Sequence, residues 1–159
     1  MKMKRKSQKR DITLDIPSEV RHIYLLDNVL TYVAKEMNFD EETKEQVNLA
    51  VIEAGTNAIK HGNKNDPTKM VHFRFNISDD GLTIYVKDYG CGFDPSNIED
   101  PLSPENVMKP CGRGIFLMKA LMDKVEFTMF GECGTEVKMV KLKIQSKADN
   151  DDDSKIYKD

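Results

Sequence analysis

Tryptophan is absent from this chain, and cysteine is scarce: Cys91, Cys111 and Cys133 are an odd number with no CxxC spacing. That argues against a disulfide framework and against a zinc site, and for a reducing, cytoplasmic setting. No apolar run approaches the roughly 20 residues of a membrane span, and the basic start is followed by no apolar segment of a signal peptide. No excess of positive charge is present either. The formal net charge is -3, which argues against general attraction to nucleic acid. No GxxxxGK[ST] loop occurs, so a Walker-type phosphate site is excluded.

What is present describes one domain of 159 residues, 39% hydrophobic and 32% charged, long enough to bury a core. Charge gathers at the ends. Lys2, Lys4, Arg5, Lys6, Lys9 and Arg10 make a basic arm over residues 1–11, and Asp149, Asp151, Asp152, Asp153 and Asp159 an acidic tail over 146–159. Both read as solvated, disordered segments around an ordered domain at 12–145.

Inside that domain, Ile12, Leu14 and Ile16 alternate as a strand ending at Pro17. Ser18 reads as the N-cap of a helix carrying Ile23, Leu26, Leu30, Val33 and Met37 on one face. Asp40 caps a second helix, which buries Val47, Ala50, Val51, Ala54 and Ala58 and ends at Gly62-Asn63. Gly55 in its middle implies close packing, since glycine there costs about 1 kcal/mol against alanine. The period then becomes two. Val71 to Ile77 and Leu82 to Val86 form a hairpin around Asp79-Asp80-Gly81. Residues 94–111 hold four prolines and read as a long functional loop. A helix over 114–123, a strand through Val125, Phe127 and Met129, a turn at 131–134 and a last strand over 137–144 complete the order. The apolar phase slips at Met139-Val140, which predicts a bulge or burial on both faces. The order implies an α+β two-layer sandwich: a mixed, mostly antiparallel sheet with the helices on one face.

Glu53 and Asn57 are four apart, so a carboxylate and a carboxamide share one helix face. A carboxamide oxygen suits Mg²⁺, and a carboxylate one turn away can deprotonate a hydroxyl. An ordinary polar helix face has the same pattern. Lys60 and His61 continue the stripe, and His61 reads as a helix-end residue. Asp88 ends a strand beside Gly90 and Gly92, which would let the backbone approach a flat ring and the carboxylate meet an exocyclic amine; a plain turn is equally compatible. Gly112, Arg113 and Gly114 open a helix and offer N–H groups and a guanidinium to phosphate, or simply a flexible helix start.

Taken together, Glu53-x3-Asn57-Ala58-x2-His61, Asp88-x-Gly90-x-Gly92-Phe93-Asp94, the proline-rich loop, Gly112-x-Gly114-Ile115-x-Leu117-Met118 and Gly134-Thr135 resemble the ATPase superfamily of gyrase, heat-shock protein 90, histidine kinases and MutL. Small size, Glu53-Ala54-x-Thr56-Asn57-Ala58 and Leu121-Met122-Asp123 resemble, within it, the anti-sigma factor serine/threonine kinases. The resemblance implies a Bergerat-type ATP-binding fold and ATP and Mg²⁺ as cofactors. It implies Glu53 as general base and Asn57 as metal ligand. Asp88 would bind the adenine amino group, with Gly90 and Gly92 beside the ring and Thr135 supporting Asp88 or a water next to it. Gly112, Arg113 and Gly114 would hold the phosphates, and residues 94–111 would form an ATP lid. The implied partners are an anti-sigma factor antagonist with a STAS domain, a sigma factor or equivalent regulator, and a second copy in a homodimer, with no direct nucleic acid and no membrane. Two other readings stand beside this one. The first is a partner-switch module that binds ATP without kinase activity, which intact Glu53 disfavours. The second is a detached histidine-kinase catalytic domain, for which His22 offers no suitable phosphoacceptor hairpin.

Overall fold

The computed structural model describes residues 10–90 and 113–143. Residues 1–9 of the basic arm read over 1–11, the lid at 94–111 and the acidic tail lie outside those residues, as do Gly92, Gly112, Cys91 and Cys111, whereas Arg10 and Asp11, assigned to that arm, belong to the first strand instead.

Five strands form one sheet in the order β1-β2-β3-β5-β4: β1 Arg10–Pro17, β2 Met70–Ile77, β3 Gly81–Lys87, β4 Lys124–Met129 and β5 Thr135–Leu142. Every pairing among the described strands is antiparallel. Three helices, α1 Leu25–Met37, α2 Glu41–Asn57 and α3 Arg113–Leu121, contribute apolar faces to the core. The period-two pattern explains the layering. Val71, Phe73, Phe75 and Ile77 face the helices and are buried, while His72, Arg74 and Asn76 face out. On the outer face, Arg74 lies 4.0 Å over the Tyr85 ring, His72 bonds Asp15, and Lys124 and Lys138 both reach Glu126. The inner face meets Leu26, Leu30, Val33 and Met37 of α1 and Val47, Ala50, Val51 and Ala54 of α2.

Local chemistry sets the helix ends. Asn38 ends α1 in the left-handed region at φ 53°, donating its N–H to the Ala34 and Lys35 carbonyls. Asp40 caps α2 by accepting from the Thr43 N–H at 2.8 Å. Gly55 is explained by contact: a Cβ there would sit 2.9 Å from Ile23 Cδ1 and 3.0 Å from Phe73 Cζ.

Three expectations are corrected. Ser18 is no N-cap. The chain first makes a 3-10 turn at Val20–His22, without a side-chain cap, and α1 begins only at Leu25. Ser18 is instead fully buried and donates to the Lys69 carbonyl. Of the two readings of the phase slip in β5 only the bulge is corrected, since the register with β3 and with β4 is continuous; burial on both faces holds, with Met139 buried inside. Val140 stands on the outer face, half-buried between Thr83 and Lys124. Inward-facing Lys141 needs no bulge because its ammonium reaches the rim and donates to Gln46 Oε1 and the Leu121 carbonyl, at 2.8 and 2.7 Å. Finally, the second helix does not stop cleanly at Gly62-Asn63. It passes into a π turn over Ala58–Gly62, in which the Asn63 N–H reaches back five residues to Ala58.

Candidate nucleotide site

The π turn brings the end of α2 against the end of β3, and there the site is built. Asp88 is 3% exposed. Its N–H donates to the Thr135 carbonyl, and its Oδ1 accepts from the N–H groups of Gly90 at 3.0 Å and Thr135 at 3.2 Å. Both inward donors go to Oδ1, so Oδ2 is the oxygen left for an outside donor. Burial pushes the Asp88 carboxyl above the usual aspartate value. The two backbone N–H groups, and then the charges of Lys69 and Lys87, act in the opposite direction.

Glycines make room for this carboxylate. A Cβ on Gly62 would fall 2.8 Å from Asp88 Cβ and nearer still to Cγ and Oδ2. A Cβ on Gly90 would meet the Gly62 carbonyl, and one on Gly134 (φ 105°) the Asp88 carbonyl. Gly90 and the Gly134-Thr135 pair stood out in the sequence, whereas Gly62 read only as a helix end. The pattern of glycine spacing gives no sign that Gly62 packs on Asp88.

The polar face of α2 reaches the same place. Asn57, Ala54 and Ala58 line a small cavity with Val86, Asp88, Met118, Phe127, Thr135 and Val137. Asn57 and Glu53 are half-buried, and Gly114 at the start of α3 lies against both. A Cβ there would stand 2.6 Å from Glu53 Oε2 and 3.3 Å from Asn57 Nδ2. Thus Glu53, Asn57, Asp88, Gly90, Gly114 and Thr135 converge. Arg113 is exposed one residue before Gly114. Lys60 and His61 are exposed on the π turn.

A polar hub that the sequence reading missed supports this arrangement. Asn63 is 1% exposed. Its Nδ2 donates to Ser18 Oγ at 2.7 Å and to the Met70 carbonyl at 3.0 Å, and its Oδ1 accepts from the Tyr89 N–H at 2.8 Å. A buried asparagine behind a helix-ending glycine was the available signal.

The residues fit a purine nucleotide on three observations. A buried carboxylate lining the small cavity takes both of its backbone donors on one oxygen, Oδ1. Glycines at 62, 90 and 114 let Asp88, the Gly62 carbonyl and Glu53 approach the backbone more closely than any Cβ would allow, which draws the candidate residues together. Thr135 Oγ1 is buried and makes no hydrogen bond among the described residues, so it is available to a group that enters the site.

Comparison with known proteins identifies the family. The family model described as a histidine kinase-like ATPase domain matches residues 16–141. The serine-protein kinase RsbW of Bacillus licheniformis is 31% identical over 145 residues, covering 87% of this chain and 89% of that protein. RsbW of Bacillus subtilis is 30% identical over 152 residues, covering 92% and 94%. RsbW of Staphylococcus epidermidis is 32% identical over 137 residues, covering 82% and 85%. Among solved structures, the RsbU and RsbW domains of a Mycobacterium tuberculosis protein share the fold at a TM-score of 0.60 and 15% identity. That match covers 84% of this chain and 32% of the other.

Proposed function

This chain belongs to the histidine kinase-like ATPase family, among relatives that are serine-protein kinases, and from that premise we propose that it phosphorylates an anti-sigma factor antagonist and, when not so engaged, sequesters a sigma factor or equivalent regulator. It is a protein serine/threonine kinase and uses ATP. The observation that carries the reading is the convergence of a buried Asp88 carboxylate, lining a small cavity with Asn57, and the Glu53 and Asn57 face of α2 against Gly114.

The residues divide the work. Asp88 Oδ2 accepts from the adenine amino group, and a guanine, with a carbonyl in that position, meets repulsion there. Thr135 holds Asp88 through its N–H and offers its unpaired hydroxyl to the base edge or a water beside it. Gly114, Arg113 and, from outside the described residues, Gly112 hold phosphate, with Gly92 beside the ring and 94–111 as the lid. No group of three or more His, Cys, Asp or Glu side chains that could hold a metal gathers among the described residues. A Mg²⁺ ion would therefore rest on Asn57 together with phosphate oxygens and water, and would offset phosphate charge when bound.

In the transfer, the antagonist's serine or threonine oxygen forms a bond to the terminal phosphorus of ATP. The bond from that phosphorus to the bridging oxygen breaks, and ADP departs with the electron pair. Glu53 takes the hydroxyl proton. Positioning carries most of the rate, and a general base contributes about 10²- to 10⁴-fold.

Among the described residues no helix is long and apolar enough to cross a membrane. A homodimer in the cytoplasm completes the proposal.

The test is incubation with Mg-ATP and candidate STAS-domain proteins of the same genome, scoring phosphate on their serines and threonines. Glu53→Gln should lower transfer by about 10²-fold or more while ATP still binds. Asn57→Ala should weaken Mg-ATP binding itself. Nucleotide binding without transfer to any antagonist would favour a switch module that uses ATP only as a ligand.

A further inference from the structure

Asn63 makes three side-chain hydrogen bonds in a site from which water is excluded, and each leads to a different part of the chain. Its Oδ1 accepts from the Tyr89 N–H, the amide next after Asp88. Its Nδ2 donates to Ser18 Oγ, just past β1, and to the Met70 carbonyl at the start of β2. Ser18, 0% exposed, passes the connection on by donating to the Lys69 carbonyl through both its hydroxyl and its N–H. Only a carboxamide can accept from one backbone group and donate twice at this position. An aspartate has no donor for the Met70 carbonyl, and an apolar residue strands all three partners.

The hub is placed to do more than hold the fold together. Asp88 is anchored on one side by Thr135 of β5. On the other side the peptide plane that follows Asp88 is held by Asn63, which accepts the Tyr89 N–H, one residue before the Gly90 N–H that donates to Asp88 Oδ1. Asn63 also follows directly on the π turn that starts at the residue after Asn57, and its N–H closes that turn on Ala58. One side chain therefore sets the distance between the α2 face that carries Asn57 and the carboxylate that meets the base.

We infer that Asn63, backed by Ser18, is a positioning residue for base recognition: it aims Asp88 Oδ2 at the exocyclic amine and so sets the preference for adenine. This rests on the reading of Asp88 as the adenine-binding group. It assigns Asn63 no contact with the nucleotide.

The test uses the full chain and two nucleotides, ATP and inosine triphosphate, whose oxo group cannot donate to Asp88. In Asn63→Ala, ATP affinity should fall about tenfold, the loss expected when a charge-assisted hydrogen bond is misaligned. Inosine triphosphate should change by less than threefold, so the ATP-over-inosine preference shrinks. The KM for ATP should rise while kcat at saturating ATP stays within about threefold, because the Glu53 end is untouched. Exchange of the Tyr89 amide hydrogen should quicken in the same variant. Ser18→Ala should move all four readings the same way by less, and it decides the matter if Asn63→Ala does not fold. Equal losses for both nucleotides, or an unchanged preference with a quickened Tyr89 amide, would show a merely structural hub and overturn the inference while leaving the nucleotide site standing. A wild-type chain that binds neither nucleotide would overturn both.

Discussion

Two glycines of the same helical run should fail in different ways when given a methyl group. At Gly62 the new Cβ falls 2.8 Å from Asp88 Cβ and closer to Cγ and Oδ2. Asp88 cannot simply turn aside, because Oδ1 is held by the Gly90 and Thr135 N–H groups. The carboxylate must leave those donors or drag the 88–90 turn with it. Stability should also fall, since overpacking costs about 1–3 kcal/mol against up to about 1 kcal/mol that alanine gains over glycine in a helical turn. Binding should change more. A hydrogen bond to a charged group contributes about 1.5–3 kcal/mol, so losing the one from adenine weakens ATP by about 10- to 150-fold. At Gly55 the methyl group meets Ile23 and the Phe73 ring in the core and none of the residues proposed to touch the ligand. Gly55→Ala should therefore lose about 1 kcal/mol of stability and keep its affinity. Calorimetric ATP titration and denaturant unfolding of both variants give the four numbers. If Gly62→Ala binds ATP within twofold of wild type, the placement of Asp88 Oδ2 as the base acceptor is wrong.

Other consequences follow from the same contacts. Gly114→Ala should place its methyl group against Glu53 Oε2 and lower phosphate transfer by tenfold or more while the ATP-over-inosine preference stays, as measured by paired transfer and binding assays. The raised pKa of Asp88, caused first by burial, gives two opposite pH trends. Its contribution to stability is fully present below the unfolded aspartate pKa and is lost as pH rises through the higher folded value. Adenine binding needs the ionised form, so the ratio of ATP to inosine triphosphate affinity should fall on acidification, starting above the pH at which an exposed aspartate protonates. A ratio that stays flat through that range, or one that falls equally in Asp88→Asn, contradicts the assignment. Lys141→Ala removes donors from Gln46 and from the Leu121 carbonyl at the end of α3; it should cost about 1–2 kcal/mol in unfolding experiments and leave nucleotide affinity alone.

How much of this was legible depended on the range of the interaction involved. Glu53 and Asn57 could be paired from the sequence because a helix fixes which residues share a face within one turn. The hairpin that ends at Asp88 and the burial of Phe73 and Phe75 followed from the period of two, and Asp40 from the capping preference directly before an acidic first turn. Ser18 shows where such reasoning stops. A serine ahead of an amphipathic helix is a good N-cap by propensity, yet here its hydroxyl serves Asn63 and Lys69, 45 and 51 residues away. Once that hydroxyl is committed to the sheet side, the first turn has no cap, and the chain makes a 3-10 turn before α1 begins. Gly62 and Asn63 were misjudged for the same reason. As a pair they look like a helix stop, and so they are, but the π turn also sets one as a cradle for Asp88 and the other as a hub for Tyr89 where β3 ends against it. The residues with chemical side chains were visible from local spacing, whereas those that aim them are defined by contacts between distant segments. Mutations at Ser18, Gly62 and Asn63 therefore test the three-dimensional site in a way that mutations of the motif residues cannot, because any fold that kept the motif would lose activity on losing Glu53 or Asn57, but only this packing makes base selectivity depend on a buried asparagine.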